Sequence, residues 1–320
     1  MEAGDGPGPR APLTPVVECV PNFSEGRRRE VIDAILDAVR RSGPVSVLDF
    51  SSDSDHNRSV LTLAGSPEAI RAACLALVAA CIERIDLRVH TGAHPRMGAV
   101  DVLPLVPIRG LAMRDCVLLA RDLGDAIARR HGLPVYLYEN AALTPSRRNL
   151  AEIRRGGFEG FPEKIKDPRW KPDFGPDRVH PSAGCVAIGA REFLIAYNIN
   201  LASADLDLAR SIARLIREKD GGLPCVKAMG VLLKDRNLAQ VSINMTDFRT
   251  TPLHMVFDRV RAEAARHGVG IAGSEIVGLV PAEALIQAAR HSLMLEEFDP
   301  SRVLERRLEE TEARAGDSPP

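Results

Sequence analysis

Apolar positions along the chain fall into two spacings, one near two residues and one near three and a half. The run "PVVECVPNF" predicts a strand. "RREVIDAILDAVRR" follows, with apolar residues at 31, 32, 35, 38 and 39, the spacing of one helix face. "VSVLDF" and "SVLTLAG" flank the polar turn "SSDSDHN" and predict a hairpin. "SPEAIRAACLALVAACIERI" predicts a second helix, with Ser66 as N-cap and Pro67 at the first helical position, where its missing N–H costs nothing. A closing strand is expected within or just after "HTGAHPRMG". The second half repeats this order. "EFLIAYNIN" reads as a strand, "LDLARSIARLIREK" as a helix, and "VKAMGVLLKDRNLAQVSINMTD" as a hairpin turning near "KDRN". "TPLHMVFDRVRAEAARHG" is a helix that again begins hydroxyl–proline, Thr251-Pro252, and stops at Gly268; "VGIAGSEIVGLV" is the last strand. Each half therefore reads β-α-β-β-α-β, the split βαβ unit. The predicted fold class is α+β: two ferredoxin-like subdomains in tandem, with a ligand cleft between them.

Additional elements separate the repeats: a helix at "RDCVLLARDLGDAIARRHG", a strand at "LPVYLYEN" and a short arginine-rich helix around "SRRNLAEIRRGG". Then comes "GGFEGFPEKIKDPRWKPDFGPDRVHPSAG", rich in Gly and Pro. Loops this long are usually functional or linkers. Phe158, Phe161, Trp170 and Phe174 prefer to bury area, which points to an ordered segment lying across the two halves. The expected organisation is a disordered tail over 1–15, a first subdomain over 16–184, a second over 185–300, and a closing helix or tail over 301–320, with "ARAGDSPP" as disordered end.

Composition narrows the class. In 320 residues, 45% are hydrophobic and 27% charged, enough to bury a core without disulfide or metal. A net charge of −1 gives no sign of a nucleic-acid or membrane partner. Six cysteines are scattered without a CxxC pair, and runs such as "AACLALVAAC" use the thiol as a small hydrophobe. With no signal-peptide core and no membrane-length segment, the expected location is cytoplasmic.

The chemistry concentrates in "VHTGAHPRMGAVDVLPL", residues 89–105. His90 and His94 stand four apart, which would align them for a metal on a helix. Gly92 weakens a helix, however, and Pro95 disfavours the α conformation at His94. The glutamate of HExxH is missing and no third ligand is apparent, so no metal is expected. In an extended segment residues 90, 92 and 94 face one side. The alternative to a general acid/base is a pair of silent, hydrogen-bonded histidines; a composition that serves no core favours a site. Arg96 could clamp a carboxylate, and Asp101 could orient an imidazole or be an ordinary ion-pair partner. Asn22 in "VPNFSEG" and Asn57-Arg58 in "SDHNRS" are either turn residues or ligands. Arg147, Arg148, Arg154 and Arg155 form either a solvated helix face or an attractor for a substrate with several carboxylates. "FGPDRVHPSAG" offers glycines for close backbone approach and an aromatic for stacking. This stretch lacks the GxGxxG and GxxxxGK[ST] arrangements of nucleotide phosphate loops, and the chain has no GxSxG elbow.

Several segments in order resemble the formiminotransferase family: "VVECVPNFSEG", "HTGAHPRMGAVDV", "PVYLYE", "KPDFGP…HPSAG", "FLIAYNINL", "NLAQVSINMTDF" and "GSEIVGLVP". The likeness extends from about residue 16 to 290. It covers the transferase part of formiminotransferase-cyclodeaminase and the stand-alone glutamate formimidoyltransferases, with no counterpart of the cyclodeaminase domain. The resemblance implies a monofunctional, homodimeric transferase that moves the formimino group of N-formimino-L-glutamate to N5 of tetrahydrofolate or its polyglutamates and releases glutamate. Tetrahydrofolate would be a co-substrate, and no metal would be needed. By the same resemblance the catalytic histidine is His94, and the folate-contacting stretch is Gly175, Pro176, Asp177, Arg178, Val179, His180, Pro181, Ser182, Ala183 and Gly184. His90, Arg96, Asn57, Arg58 and Asn22 stand as supporting candidates. Ala183 replaces an aromatic found in some relatives. Ser51 replaces an acid, a role that would pass to Asp49, Asp53 or Asp55. The rival readings are formyl exchange between 5-formyltetrahydrofolate and glutamate, a folate-binding protein without turnover, and a metal-dependent hydrolase built on His90 and His94.

Overall fold

A computed structural model describes residues 14–316, which divide after Glu192 into two units, each with its own sheet and apolar core. Of the tail expected at 1–15, all but the last two residues lie outside the described part, as do residues 317–320.

The first unit contains β1 (Val16–Cys19), β2 (Asn22–Phe23), α1 (Arg29–Arg40), β3 (Ser46–Asp53), β4 (Arg58–Gly65), α2 (Pro67–Arg84), β5 (Val100–Arg109), α3 (Met113–His131), β6 (Val135–Glu139), α4 (Leu150–Arg154), α5 (Gly157–Lys164) and β7 (Val186–Ala190). β1 and β2 are two parts of one interrupted strand, since both pair antiparallel with β4 and β5. β3 extends the sheet beyond β4, and β7 and β6 extend it beyond β5 as parallel strands. α1 buries Ile32, Ile35, Leu36 and Val39, the i, i+3, i+4, i+7 set of an amphipathic helix. α2 is apolar on all sides because it packs against α1, α3 and the sheet together. Its start is as expected: the Ser66 hydroxyl accepts from the Ala69 N–H at 3.2 Å, and Pro67 follows.

The boundary expected at 184/185 moves to Glu192, because "CVAIGA" is not a connector. It forms β7, buried on both faces between β5 and β6. A parallel strand covered on both sides lacks the polar alternation that marks a half-exposed one. The long Gly- and Pro-rich segment is ordered and packs on the first unit. Phe161 lies edge-on to Tyr136 with ring centroids 5.5 Å apart, and the Tyr136 hydroxyl donates to the Trp170 carbonyl at 2.7 Å. Buried Arg147 donates to Asp173 at 2.6 Å and to the carbonyls of Arg169 and Lys171; Asp173 also accepts from the Leu137 N–H at 2.7 Å. Arg147 is thus a clamp on the segment, not part of a solvated face.

The second unit comprises β8 (Ile195–Leu201), α6 (Leu206–Ile216), β9 (Val226–Leu233), β10 (Leu238–Met245), α7 (Leu253–Arg266), β11 (Ile271–Val277), α8 (Ala282–Ser292) and α9 (Leu304–Gly316). Its strand order is β11-β8-β10-β9, every pair antiparallel. Alternate residues of β8 (Ile195, Tyr197, Ile199, Leu201) and β10 (Ala239, Val241, Ile243, Met245) join α6 and α7 in the core. The hairpin turns where expected, through Lys234–Arg236 and a left-handed Asn237 at φ 49°. Thr251 is not a cap: its hydroxyl donates to the Pro224 carbonyl at 2.6 Å, and α7 begins after Pro252. α9 runs into the expected "ARAGDSPP" tail as far as Gly316. Among the described residues, no helix is long and apolar enough to cross a membrane.

Candidate active site

His90 and His94 lie in the loop between α2 and β5, which is not helical, as Gly92 and Pro95 required. Two other loops pack on it, and Asn57 pins all three. Asn57 adopts a left-handed φ of 48°; its side-chain oxygen accepts from Gly26 N–H and its amide donates to the Thr91 carbonyl, both at 2.9 Å. Its own carbonyl accepts from His90 Nε2 at 3.0 Å. The packing leaves no room for a Cβ at Gly92, which would stand 2.3 Å from the His56 carbonyl oxygen. Buried Glu25 holds the next turn, accepting from the Arg27 and Arg28 N–H groups at 2.9 Å and from the Arg28 guanidinium at 2.6 Å. Burial opposes its charge, but these bonds outweigh burial and hold its carboxyl below the usual range.

His94 makes one side-chain hydrogen bond. Its Nε2 lies 3.1 Å from Nη1 of Arg58, the first residue of β4. A guanidinium can only donate, so Nε2 is the acceptor and the ring proton sits on Nδ1. Burial first, then the charges of Arg58 and Arg154, push the His94 pKa down to about 3, and the imidazole is neutral at physiological pH. His90 carries the opposite tautomer: Nε2–H donates to Asn57, and its buried Nδ1 has no partner. No carboxylate reaches His94 among the described residues. Asp53 gives its oxygens to His56 Nδ1 at 2.9 Å and to the N–H groups of Asp55 and His56 at 2.8 Å. Fully buried Asp101 accepts from the Met97 N–H at 2.9 Å and pairs with Arg154, so it orients the loop and not an imidazole. Arg96 donates to the His90 carbonyl and to Glu159, each at 2.9 Å.

The stretch 175–184 begins away from this loop and ends against it. Gly175, at φ 90°, passes so close to the Leu133 carbonyl that a Cβ would stand 2.3 Å from its oxygen. Pro176, Asp177 (paired with Lys171) and Arg178 follow, and Val179 packs against the apolar cluster that includes Met97 and Tyr136. His180, Pro181, Ser182, Ala183 and Gly184 form a tight turn closed by two backbone bonds between 180 and 184. His180 Nδ1 accepts from the Ala183 N–H at 3.0 Å. The Ala183 carbonyl accepts from Ala99 at 2.9 Å, and the Ser182 carbonyl from Leu87 at 2.8 Å. Gly98 and Gly184 face each other: a Cβ on Gly98 would stand 1.9 Å from the Cys185 oxygen, and one on Gly184 2.2 Å from the Met97 oxygen.

The structure brings His90, His94, Arg58, Asn57 and Arg96 together. Asn22 stands apart from this group: its amide donates to the Val20 carbonyl at 3.0 Å and shapes the break between β1 and β2. A shared metal on the two histidines does not fit either, since both Nε2 atoms are engaged and Arg58 faces one of them. No group of three or more metal-ligating side chains occurs among the described residues. Sequence reasoning missed Glu25 and Glu159, and placed Arg154 only in a charge cluster.

A family model described as the formiminotransferase domain, N-terminal subdomain, matches residues 16–191, and one described as the formiminotransferase domain matches residues 196–304. The chain belongs to the formiminotransferase family. It is 46% identical over 287 residues to the glutamate formimidoyltransferase of Streptococcus pyogenes serotype M1, covering 90% of this chain and 96% of that one. To the glutamate formimidoyltransferase of Thermoplasma acidophilum it is 49% identical over 297 residues, covering 92% and 97%. The formimidoyltransferase-cyclodeaminase of Rattus norvegicus is 45% identical over 283 residues, which are 87% of this chain and 52% of that protein. The gap between the two formiminotransferase matches, 191 to 196, contains the structural division after Glu192.

Proposed function

We propose that this chain transfers the formimino group of N-formimino-L-glutamate to N5 of tetrahydrofolate, with His94 as general acid/base. The observation that carries the reading is a neutral imidazole in a loop joined backbone to backbone to the 180–184 turn, the end of the stretch expected to meet folate. N5 attacks the amidine carbon, and the new N5–C bond gives a tetrahedral intermediate. Nε2 takes the N5 proton and returns it to the glutamate nitrogen as its bond to carbon breaks. A positioned base contributes about 10²–10⁴-fold, and holding both substrates in contact adds more by replacing a bimolecular encounter. Tetrahydrofolate enters as co-substrate, and no step calls for a metal. We further read both units as elaborations of the split βαβ arrangement and the whole as a cytoplasmic homodimer; the element order β8-α6-β9-β10-α7-β11 supports the fold reading.

The test mixes purified protein with N-formimino-L-glutamate and tetrahydrofolate and follows glutamate and 5-formiminotetrahydrofolate. Turnover is expected in wild type, with at least a 100-fold loss in His94→Ala of unchanged circular dichroism. Wild-type turnover in that variant would discard the histidine. Turnover only from 5-formyltetrahydrofolate and glutamate would replace the donor.

A further inference from the structure

The charges of Arg58 and Arg154 act on His94, Arg96 belongs to the same loop, and the last two are committed. Arg154 is paired with buried Asp101, and Arg96 is held by Glu159 and the His90 carbonyl. Arg58 differs. Half-buried, it is paired with no carboxylate among the described residues, and its buried Nε has no hydrogen-bond partner. Its one side-chain bond goes to His94 Nε2. The carboxylates whose charge it feels, Asp101 and Asp53, are engaged by Arg154 and His56, so its fork of donors, which matches a carboxylate in two-point geometry, lacks a direct anionic partner. While Arg58 holds Nε2, the lone pair that must accept the substrate proton is occupied.

We infer that Arg58 couples donor binding to release of the base: it masks His94 Nε2 in the empty site and swings to the α-carboxylate of the donor when that binds. This rests on the function proposed above. In N-formimino-L-glutamate the α-carboxylate is separated from the reacting carbon only by the leaving nitrogen and the α-carbon. A carboxylate that meets Arg58 therefore arrives with the amidine carbon beside the freed Nε2. The carboxylate is thus both handle and trigger, and a donor without it would leave the base masked.

The experiment uses the inert donor analogue N-carbamoyl-L-glutamate and its counterpart lacking the α-carboxylate, 4-(carbamoylamino)butyrate. The ¹⁵N signals of His94, assigned by their loss in His94→Gln, are followed through a pH titration. In the free enzyme Nε2 should be unprotonated, with the proton on Nδ1. Saturating N-carbamoyl-L-glutamate should raise the His94 midpoint by at least one pH unit, and 4-(carbamoylamino)butyrate should leave it in place. In Arg58→Gln the midpoint should stand above that of the free wild-type enzyme without ligand and be insensitive to it, and KM for N-formimino-L-glutamate should rise about 10- to 100-fold. Arg58→Lys, which keeps the charge but not the fork, should fold normally and fall between the two. A wild-type midpoint unmoved by saturating N-carbamoyl-L-glutamate, or an unchanged KM in Arg58→Gln, would overturn the inference. Either result alongside an inactive His94→Ala leaves the histidine mechanism standing, so the two readings fail separately.

Discussion

Removing the Asp173 carboxylate tests what holds the long segment in place. Arg147 and Asp173 have side chains only 7% and 4% exposed, and Asp173 also serves the Leu137 N–H. Breaking a buried pair by removing one partner costs about 3–5 kcal/mol, because the other charge stays buried. An unsatisfied buried N–H adds about 1–3 kcal/mol. Against this, Arg147 keeps the Arg169 and Lys171 carbonyls, which hold the net cost of Asp173→Ala near 4 kcal/mol. For a unit of this size that is a fall in Tm of about 8–16 °C, read by differential scanning calorimetry. Asp173→Asn, which keeps an acceptor for Leu137, should fall between. The double variant Arg147→Met/Asp173→Leu should cost less than Asp173→Ala alone, since no buried charge remains. A Tm within about 2 °C of wild type in Asp173→Ala, or strictly additive costs in the pair, would refute this account of the clamp.

Gly98→Ala should yield little folded protein, because the new Cβ would meet backbone oxygens of Cys185 and Val100 that cannot rotate aside; a soluble variant of wild-type Tm would contradict the packing. Because the folded His94 pKa is depressed to about 3, the unfolded chain takes a proton between that value and about 6.5 that the folded chain refuses. Its contribution to stability therefore rises with pH across that window. Urea denaturation should accordingly find His94→Gln more favourable relative to wild type at pH 5 than at pH 7, and an equal difference at both would count against the shift. Glu18 behaves oppositely: burial, only partly offset by Arg191, raises its pKa to about 7. The folded state then holds a proton the unfolded state has lost, and its stability contribution declines as pH rises from about 4.5 to 7. Glu18→Gln should stabilise by about 3 kcal/mol at pH 8 and hardly at all at pH 4.5; the same gain at both pH values would refute it.

What was legible in the sequence was whatever a local pattern could carry. Helical spacing placed α1 and α2, and the Ser66 hydroxyl capped as its neighbours dictated. The same two-letter signal failed at Thr251-Pro252, because a carbonyl at Pro224, distant in sequence, competes for the hydroxyl. α5 defied propensity: it contains Pro162 and two glycines, yet Phe161 buries fully and Lys164 Nζ donates to the carbonyls of Glu152 and Ile153 at 2.6 and 2.7 Å. At the site, Gly92 and Pro95 identified the loop of His90 and His94 as non-helical against the four-residue spacing of the two histidines. Arg58 could be named from "SDHNRS", but its bond to Nε2 depends on a hairpin folding beside a loop 36 positions away. Asp101 is the ion-pair partner that the sequence reading favoured, but that Arg154 and the Met97 N–H are its partners is visible only in space.

The placement of β7 also orders events in time. Among the described residues β6 pairs with no strand except β7, and the His94 loop rests on Ala183, Gly184 and Cys185, which immediately precede β7 in the chain. During synthesis, the loops around Asn57 emerge long before the residues that complete their floor. The floor of the loop is therefore completed only by the last residues the ribosome adds to that unit, and a fragment released at residue 184 would carry every histidine of the loop but lack the strand that holds β6 in the sheet.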